Sequence, residues 1–274
     1  MQYDPIKKSL GRVFNATPWL RVLFYKMLDF LLLRTYHVRR ELKEYVKDHP
    51  KADVLDAGMG FGQYSYFLAA HYPNWQVTGV DLKQEQVDDC NQFFGRIGRH
   101  NASFHYADLE NFDESNSYDL VLSIDVMEHI PDDQAVFNNL CKALRPGGML
   151  LISTPSDQGG SDVHHHDEGY KNDGSASFID EHVRDGYNAG EIAEKLKKGG
   201  FSRSEVKYSY GAPGKISWRL TMKYPILMLN ASKIFFIVLP FYYLVTFPFA
   251  LLLNLADARM THPTGTGLIV KAWK

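Results

Sequence analysis

The chain has 274 residues, a formal net charge of −2 and a sequence pI near 6.6. This length suits one α/β domain with additions, and the nearly balanced charge argues against a nucleic-acid backbone as the main partner. The two cysteines, Cys90 and Cys141, lie in predicted helices and predict a reducing compartment without disulfides.

Residues 1–50 are predicted to form an N-terminal helical arm in which apolar and charged side chains interleave. Most of its apolar side chains lie between Trp19 and Arg34. Acidic and basic residues interrupt the first thirty positions, which is not the layout of a secretory signal peptide. The protein is therefore expected to face the cytoplasm.

A strand-to-helix turn rich in glycine follows the arm. Asp53 to Ala57 is a short apolar run that predicts a buried strand, and Tyr64 to His71 has helical spacing. Glycines occupy every second position between them, from Gly58 to Gly62. Missing side chains at such a turn let a ligand approach the backbone closely. The segment therefore predicts a nucleoside-binding turn lined by Gly58 and Gly60.

Asp56, two residues ahead of Gly58, distinguishes this turn from the dinucleotide fingerprint. That fingerprint uses a Gly-x-Gly-x-x-Gly spacing and needs no acid at this point. A carboxylate repels a phosphate but attracts an amino group or a sulfonium cation. The turn therefore favours S-adenosylmethionine, with Asp56 near its amino acid part. A dinucleotide site and a purely structural glycine turn are the alternatives.

A second predicted strand, Gln76 to Val80, ends at Asp81. In nucleotide-binding sheets an acid at this point commonly accepts hydrogen bonds from the two ribose hydroxyls. Leu82 follows directly and offers an apolar wall to the adenine. The alternative is that Asp81 is only an exposed loop acid.

The next informative strand is the apolar run around Val121, which leads to Ser123 and Asp125. Ligands of open α/β sheets bind beyond the carboxyl ends of the strands. Ser123 and Asp125 are therefore expected to face the cleft in which cofactor and acceptor meet. If a helix opens at Asp125, then Asp125, Glu128 and His129 share one helical face.

Asp125, Glu128 and His129 are the predicted catalytic group, and three roles are open for them. His129 is a candidate general base, because an unperturbed pKa of about 6.5 suits neutral conditions. The three side chains are also candidate ligands of a divalent cation such as Mg²⁺, which would lower the pKa of the acceptor. The two acids are alternatively structural, opposing a helix macrodipole.

Five segments with these features follow one another along the chain: Asp56 to Gly62, Gly79 to Asp81, Tyr106 to Leu109, Tyr118 to His129 and Leu144 to Leu150. Together they resemble the class I S-adenosylmethionine-dependent methyltransferases, and most closely the ubiquinone-pathway O-methyltransferases. The resemblance covers roughly Asp53 to Phe201. In that family pattern Asp108 accepts a hydrogen bond from the adenine amino group and Leu109 supplies the adjacent backbone donor. An exposed loop acid is the alternative for Asp108 also.

The resemblance implies an α/β, Rossmann-like fold with a seven-stranded, mostly parallel sheet. The strand order of the family is 3-2-1-4-5-7-6, with the last strand antiparallel. Residues 51–214 and 259–274 are expected to form the methyltransferase core. A polar insertion at 155–188 and an apolar helical insertion at 215–258, between the last two strands, complete the chain.

The polar insertion contains three consecutive histidines, His164, His165 and His166. Adjacent residues of an extended chain point in opposite directions, so one of them is a candidate to reach the acceptor or a metal, whereas all three together are not. An exposed polar lid is the alternative. Three later residues are candidate acceptor contacts: His182, Arg184 and Tyr187.

The apolar insertion has no charge from Ile234 to Leu253, which is long enough to span a bilayer. A single crossing would leave the last strand on the wrong side of the membrane, away from its sheet. Pro240 and Pro248 instead predict a kinked or broken helical hairpin. Basic residues flank it, as expected at an anionic lipid surface: Arg219, Lys223 and Lys233.

Three interpretations of this insertion stay open. It is a peripheral membrane-docking element, a dimer interface or substrate lid, or a pair of re-entrant or spanning helices. Because the preceding strand runs parallel to the core strands, the insertion leaves the sheet on its ligand side. An apolar cover at that point predicts a hydrophobic or lipid-like small-molecule acceptor.

These features predict an enzyme that transfers a methyl group in line from S-adenosylmethionine to an oxygen of a hydrophobic acceptor, with S-adenosylhomocysteine as the product. Alignment of the reacting atoms and exclusion of water would supply most of the acceleration. Methylation of nitrogen or carbon, and a non-catalytic S-adenosylmethionine-binding module at a membrane, are the alternatives.

Overall fold

The computed structural model describes residues 17–159, 183–232 and 234–274. Seven strands form its central sheet: β1 (Asp53–Ala57), β2 (Gln76–Asp81), β3 (Ala102–Tyr106), β4 (Tyr118–Ile124), β5 (Leu144–Pro155), β6 (Arg203–Ser209) and β7 (Gly267–Trp273). Their spatial order is β3-β2-β1-β4-β5-β7-β6, and β7 is antiparallel to both β5 and β6. The predicted order and the antiparallel last strand are confirmed.

Helices cover the sheet, and further helices precede β1 and separate β6 from β7. They are α1 (Pro18–Leu31), α2 (Leu33–Asp48), α3 (Gln63–His71), α4 (Gln84–Arg96), α5 (Asp133–Ala143), α6 (Ala189–Lys198), α7 (Ala212–Trp218), α8 (Tyr224–Ala231) and α9 (Phe235–Arg259). Short 3₁₀ turns lie at Leu109–Asn111 and Met127–His129, and a π-helical segment, Arg219–Lys223, joins α7 to α8. The predicted helical character of the arm is confirmed over residues 18–48, where only Leu32 interrupts it with an extended backbone.

The central strands are continuously apolar because both faces of the sheet are covered by helices. Val54, Leu120 and Leu122 pack into one buried cluster with α3 and α4, and Leu55 and Val121 pack into a second cluster with α5 and α6. Neighbouring residues of a strand thus contribute to opposite faces, as the strand period of two requires. The two clusters position the strand ends firmly.

The chain between β6 and β7 forms a helical hairpin, here called the apolar hairpin (residues 212–259). Its first arm is α7, the π-helical segment and α8, and its second arm is α9. The Tyr242 and Tyr243 hydroxyls of α9 donate hydrogen bonds to the Leu220 and Thr221 carbonyl oxygens of the first arm, at 2.8 and 2.7 Å. The predicted insertion of helices between the last two strands is confirmed.

The second arm of the hairpin does not break at its prolines, so of the predicted kinked or broken hairpin the break is not observed. Pro240 and Pro248 lie inside α9, which runs without interruption over 25 residues, and the first arm ends before it, at Ala231. A proline removes only one backbone donor. The other helical hydrogen bonds and the packing of α9 on the first arm keep the helix continuous.

A buried carboxylate, Asp257 in the last turns of α9, joins the hairpin to the arm. Asp257 accepts hydrogen bonds from His37 Nε2 at 2.8 Å, from the Gly214 amide at 2.9 Å and from the Tyr210 amide at 3.1 Å. His262 Nε2 lies 3.3 Å from its other oxygen. Burial alone would raise the pKa of Asp257, but His37 and His262 lower it below its usual value.

Replacing this carboxylate should destabilise the fold in a pH-dependent way. Asp257→Asn leaves two histidines without their charge partner, which is expected to lower the free energy of unfolding by about 3 kcal/mol near pH 7. A carboxylate whose pKa is lower in the folded than in the unfolded state stabilises the fold at pH values above its unfolded pKa. This contribution is lost as the pH falls through the folded pKa. The deficit should therefore shrink below about pH 4, as measured by urea unfolding.

Asp113→Asn is the matched control, because Asp113 is an exposed carboxylate paired with Lys142. This variant should unfold as the wild type does. An Asp257→Asn protein as stable as the wild type at neutral pH would contradict the role assigned to Asp257.

Candidate functional site

Three glycines with a left-handed backbone shape the turn after β1, here called the glycine turn (residues 58–62). Gly58, Gly60 and Gly62 have φ angles of 78°, 56° and 79°. A Cβ atom on Gly58 would lie 2.5 Å from a methyl group of Val126, so only glycine fits there. The Gly58 amide donates a hydrogen bond to the Val80 carbonyl oxygen at 2.9 Å. The turn is therefore held against the end of β2.

Asp81 connects the glycine turn to the start of α4. One carboxylate oxygen accepts a hydrogen bond from the Gly60 amide at 2.9 Å, and the other accepts one from the Lys83 amide at 2.9 Å. Carboxylate oxygens accept more than one hydrogen bond, so ribose hydroxyls fit in addition. Leu82, the next residue, is 59% exposed. Tyr106 of β3 is paired with Asp81 and is also exposed, and it was not singled out as a site residue from the sequence.

Asp56 is a buried carboxylate at the end of β1. Ser65 donates a hydrogen bond to it at 2.6 Å. Burial raises the pKa of Asp56 to about 6, with Ser65 opposing the shift and Asp81 adding to it. A cation bound nearby would stabilise the ionised form. The environment therefore fits the ammonium or sulfonium group of S-adenosylmethionine better than a phosphate.

Asp108 already serves the backbone at the end of β3. Its side chain accepts hydrogen bonds from the Glu110 amide at 3.0 Å and from the Asn111 side chain at 2.7 Å, which caps the short 3₁₀ turn. Leu109 is buried in the core. The roles predicted for Asp108 and Leu109 toward adenine remain predictions, because a capping carboxylate keeps further acceptor capacity.

Asp125 forms an ion pair with Arg34, a residue of the arm 91 positions earlier in the chain. Burial alone would lower the pKa of Arg34, but Asp125, together with Tyr64 and Tyr210, raises it above its usual value. The Arg34 amide also donates a hydrogen bond to the Tyr210 hydroxyl at 3.2 Å. The arm thus contributes a cation to the edge of the sheet where the acceptor is expected.

Sequence reasoning missed this arm contribution. Arg34, Tyr64 and Tyr210 belong to three different helices or loops. Burial raises the pKa of both tyrosines, while Arg34 opposes this rise and Asp125 adds to it. The Arg34 Nε and the Tyr64 hydroxyl are buried and make no hydrogen bond of good geometry. Nothing in the local sequence around residue 34 indicates a partner at residue 125.

No α-helix opens at Asp125, so the condition for a shared helical face is not met. Asp125 has a left-handed backbone with φ 53°, and only the single 3₁₀ turn Met127–His129 follows. Asp125, Glu128 and His129 therefore do not share one face of an α-helix. The reason is local: the Asp125 amide donates to the Ser153 carbonyl oxygen at 2.8 Å, which extends the β4–β5 pairing past the strand end.

Glu128 is a buried acid at the same edge. Only 1% of it is exposed, and the Thr154 hydroxyl donates a hydrogen bond to its carboxylate at 3.1 Å. Burial, reinforced by Asp125, raises the pKa of Glu128 to about 8. Near neutral pH this side chain mostly holds a proton, so it can donate a hydrogen bond but is not a ready base.

The same chemistry does not fit a magnesium site at Asp125, Glu128 and His129. Asp125 is paired with Arg34, and a protonated Glu128 is a poor ligand for a hard cation. Over the described ranges, no group of three or more histidine, cysteine, aspartate or glutamate side chains is arranged to hold a metal ion. The cation suggested by the sequence has no support here.

Ser123, at the end of β4, is fully buried, and its hydroxyl makes no hydrogen bond. A buried hydroxyl without a partner is unfavourable by about 1–3 kcal/mol. The cofactor role predicted for Ser123 stays a prediction.

The segment after the polar insertion is structural where it is described. Arg184 and Tyr187 both bind Asp133 at the start of α5, with the Tyr187 hydroxyl donating to it at 2.7 Å, and Lys195 binds the same carboxylate at 2.8 Å. The acceptor contacts predicted for Arg184 and Tyr187 stay predictions, although a buried acid already holds both side chains. The other candidates lie outside the described residues: His164, His165, His166 and His182.

A family model described as a methyltransferase domain matches residues 48–200, more than half of the chain. The protein belongs to this methyltransferase family. The predicted membership in the class I S-adenosylmethionine-dependent methyltransferases is confirmed, and S-adenosylmethionine is the cofactor of that class.

Curated relatives match about half of the chain or somewhat less. A malonyl-acyl-carrier-protein O-methyltransferase 2 of Ilyobacter polytropus is 25% identical over 149 residues, which cover 54% of each chain. A ubiquinone biosynthesis O-methyltransferase of Rickettsia conorii is 30% identical over 114 residues, which cover 42% of this chain and 38% of the relative. The chain thus spans about half or less of the length of these relatives.

Solved structures share the fold. Phosphoethanolamine N-methyltransferase 2 of Haemonchus contortus, in complex with S-adenosylmethionine, has a TM-score of 0.55 at 21% identity over 86% of this chain and 52% of that chain. The cyclase SpnF also has a TM-score of 0.55, at 17% identity over 85% of this chain and 80% of that chain. At these identities the likeness concerns the fold alone, and a fold does not determine a reaction.

The raised pKa of Glu128 predicts an unusual stability profile. A group whose folded pKa is raised stabilises the fold fully below its unfolded pKa, and this contribution is lost as the pH rises through the folded value. Glu128→Gln stays neutral at every pH. It should nearly match the wild type close to pH 5 and exceed its free energy of unfolding by more than about 1 kcal/mol near pH 8.5.

Urea unfolding at the two pH values measures this difference. Glu191→Gln, which removes an exposed carboxylate on α6, should show no such gain with pH. A Glu128→Gln protein that is less stable than the wild type by the same amount at both pH values would rule out a protonated Glu128.

Proposed function

We propose that this protein methylates an oxygen atom of a hydrophobic, lipid-like acceptor at a membrane surface, with S-adenosylmethionine as the methyl donor. The observation that carries the proposal is the apolar hairpin, which begins and ends at the same edge of the sheet as the glycine turn. Family membership supports the methyl transfer, and the exposed hairpin supports the class of acceptor.

The cofactor would be held by residues that meet around the glycine turn. Asp81 would accept hydrogen bonds from the ribose, Asp56 would lie near the amino acid part, and Asp108 with Leu109 would contact the adenine. Leu82 and Tyr106 would flank the adenine as apolar walls. Gly58 and Gly60 would let the nucleoside approach the backbone closely because they present no side chain, and the hydroxyl of Ser123 is a further predicted contact.

The bound cofactor supplies an electrophilic methyl group on a sulfonium. The acceptor oxygen forms a bond to that methyl carbon while the carbon–sulfur bond breaks and its electron pair stays on sulfur. The hydroxyl proton of the acceptor must pass to a base. His129 is the proposed base, Asp125 orients the hydroxyl with Arg34 balancing its charge, and protonated Glu128 can donate a hydrogen bond.

The apolar hairpin supports a lipid-like acceptor because so little of it is covered. An 18-residue stretch of α9 has a mean hydropathy of 2.1, and only 6% of this stretch is buried. Phe241, Leu244 and Val245 are each at least 65% exposed. Exposed apolar area of this extent is rare on soluble monomers and marks an interaction surface.

Charge argues for docking on a bilayer surface in preference to spanning it. The first arm of the hairpin contains Lys215, Arg219 and Lys223, and each would be unfavourable in hydrocarbon by about 3 kcal/mol. At an anionic surface the same residues are attracted. We infer that the hairpin lies in the interface of a cytoplasmic leaflet. A homodimer through α9 is the competing explanation.

Asp81→Asn should weaken cofactor binding about 10- to 100-fold, because it removes the charge from the ribose hydrogen bonds. Isothermal titration calorimetry with S-adenosylmethionine measures this loss. The control is Asp88→Asn, which changes an exposed aspartate of α4. This variant should bind S-adenosylmethionine as the wild type does. Wild-type affinity in Asp81→Asn would show that the ribose is held elsewhere.

The reaction itself is tested with S-adenosylmethionine that carries a labelled methyl group and a lipid extract of the host membrane. We expect labelled product in the organic phase and an equal amount of S-adenosylhomocysteine, with both lowered for Asp81→Asn at limiting cofactor in proportion to its weaker binding. Mass identification of the product then reports whether the methyl group is on oxygen. Cofactor binding without any release of S-adenosylhomocysteine would favour the non-catalytic module.

Membrane docking is tested by flotation with vesicles of phosphatidylcholine and phosphatidylglycerol. The wild type should float with the vesicles, and Phe241→Glu should remain in the soluble fraction because a charge in the apolar face opposes insertion. Asn138→Glu, which adds the same charge to α5, should float. A wild type that stays soluble and elutes as a dimer would replace docking by self-association.

A further inference from the structure

Helix α1 has two faces of opposite character. Its outer face exposes large apolar side chains at helical spacing, with Trp19 the most exposed at 62%, and these are Trp19, Leu23, Met27 and Phe30. Its inner face carries Arg21, Tyr25 and Asp29 at positions i, i+4 and i+8. Soluble helices normally bury their large apolar side chains, whereas α1 exposes these four and buries Arg21.

The inner face of α1 holds the glycine turn. Arg21 is buried and donates a hydrogen bond through Nη2 to the Phe61 carbonyl oxygen at 2.7 Å. The Tyr25 hydroxyl donates to the same oxygen. Phe61 lies between Gly60 and Gly62, and both glycines have a left-handed backbone. These contacts therefore fix the peptide at the centre of the turn.

Further contacts of the inner face position Arg21 and reach the end of the glycine turn. Arg21 Nη1 donates to Asp89 of α4 at 2.5 Å, and Arg21 Nε donates to the Tyr25 hydroxyl at 2.6 Å. Asp29 accepts a hydrogen bond from the Gln63 side chain at 2.8 Å, at the first residue of α3. The helix thus contacts the glycine turn from its centre to its end.

The two ends of α1 carry few stabilising features of their own. Its N-terminal cap, Thr17, makes no side-chain hydrogen bond, its first turn contains no acid, and its last turn contains no basic residue. Leu32 ends it with an extended backbone. A 14-residue helix depends on tertiary support, so a cover on its outer face would add to the support that its inner face receives from the core.

The outer face continues into the apolar hairpin. The rings of Phe30 and Phe247 of α9 lie 6.5 Å apart, edge to face. Lys26 is exposed on α1, and Arg219 is exposed on the first arm of the hairpin, so basic side chains accompany the apolar surface of both elements. One anionic lipid surface matches both, by apolar area and by charge.

We propose that a lipid bilayer covers the outer face of α1 and that this contact strengthens the hold of Arg21 and Tyr25 on the glycine turn, so that membrane contact raises the affinity for S-adenosylmethionine. Arg21 and Tyr25 are positioning residues, because they act on the cofactor through the Phe61 peptide. The inference rests on the proposed membrane docking and adds a coupling between the two sites.

The coupling is measured on the full chain as the affinity for S-adenosylmethionine with and without saturating vesicles of phosphatidylcholine and phosphatidylglycerol. We expect vesicles to tighten binding at least about five-fold. Because coupling is reciprocal, the cofactor should lower by the same factor the vesicle concentration needed for flotation. In protein without cofactor, vesicles should slow amide hydrogen exchange in residues 58–63.

Two variants separate the two faces of α1. Met27→Glu should still float at saturating vesicles through the hairpin but lose the affinity gain. Tyr25→Phe removes only the hydroxyl from the Phe61 carbonyl oxygen, so it should bind the cofactor more weakly and gain less from vesicles. Tyr66→Phe, in a ring that packs 5.3 Å from Tyr25, is the matched control and should behave as the wild type.

The outcomes distinguish this inference from the proposed function. A wild type that floats but binds the cofactor equally well with and without vesicles overturns the coupling and leaves docking intact. A Met27→Glu protein that keeps the full gain overturns the role of α1. A wild type that does not float overturns the docking and the coupling together, whereas methyl transfer is judged by the labelled-product assay.

Discussion

The parallel direction of β1 to β6 determines where the rest of this protein has to meet. Because the strands share one direction, their carboxyl ends form one edge, and whatever follows each strand arrives there. The glycine turn follows β1, Asp81 ends β2, Asp125 follows β4 and Tyr210 follows β6. The apolar hairpin also begins and ends at this edge, since β7 returns from it. Cofactor residues, acids and membrane-facing helices are neighbours for this one geometric reason.

Buried charge at this edge explains why the arm belongs to the site. An uncompensated buried charge is unfavourable by several kcal/mol, and each acid is compensated differently. Asp125 is paired with Arg34, Asp257 is flanked by His37 and His262, and Glu128 is favoured in its neutral form. Arg34 and His37 both come from α2, so the arm supplies the compensation for two acids of the core and the hairpin.

Local patterns in the sequence were sufficient for the core. Strand periodicity and the glycine turn predicted β1 and α3, and the resemblance supplied the strand order and the antiparallel β7. Local rules were not sufficient where tertiary contacts intervene. Pro240 and Pro248 do not break α9, because tertiary packing outweighs the loss of two donors. Asp125 does not open an α-helix, because its amide pairs with β5.

The sequence by itself determined the sheet, the glycine turn with Asp56 and Asp81, and the presence of a long apolar segment, because each follows from a pattern of residues that are neighbours in the chain. Only the tertiary structure decided that Arg34 pairs with Asp125, that Glu128 favours its protonated form and that α1 grips the Phe61 peptide with its polar face. These features depend on contacts between segments tens of residues apart and on the burial that such contacts create. Neither the partner of a charge nor its desolvation has a signal in the local sequence.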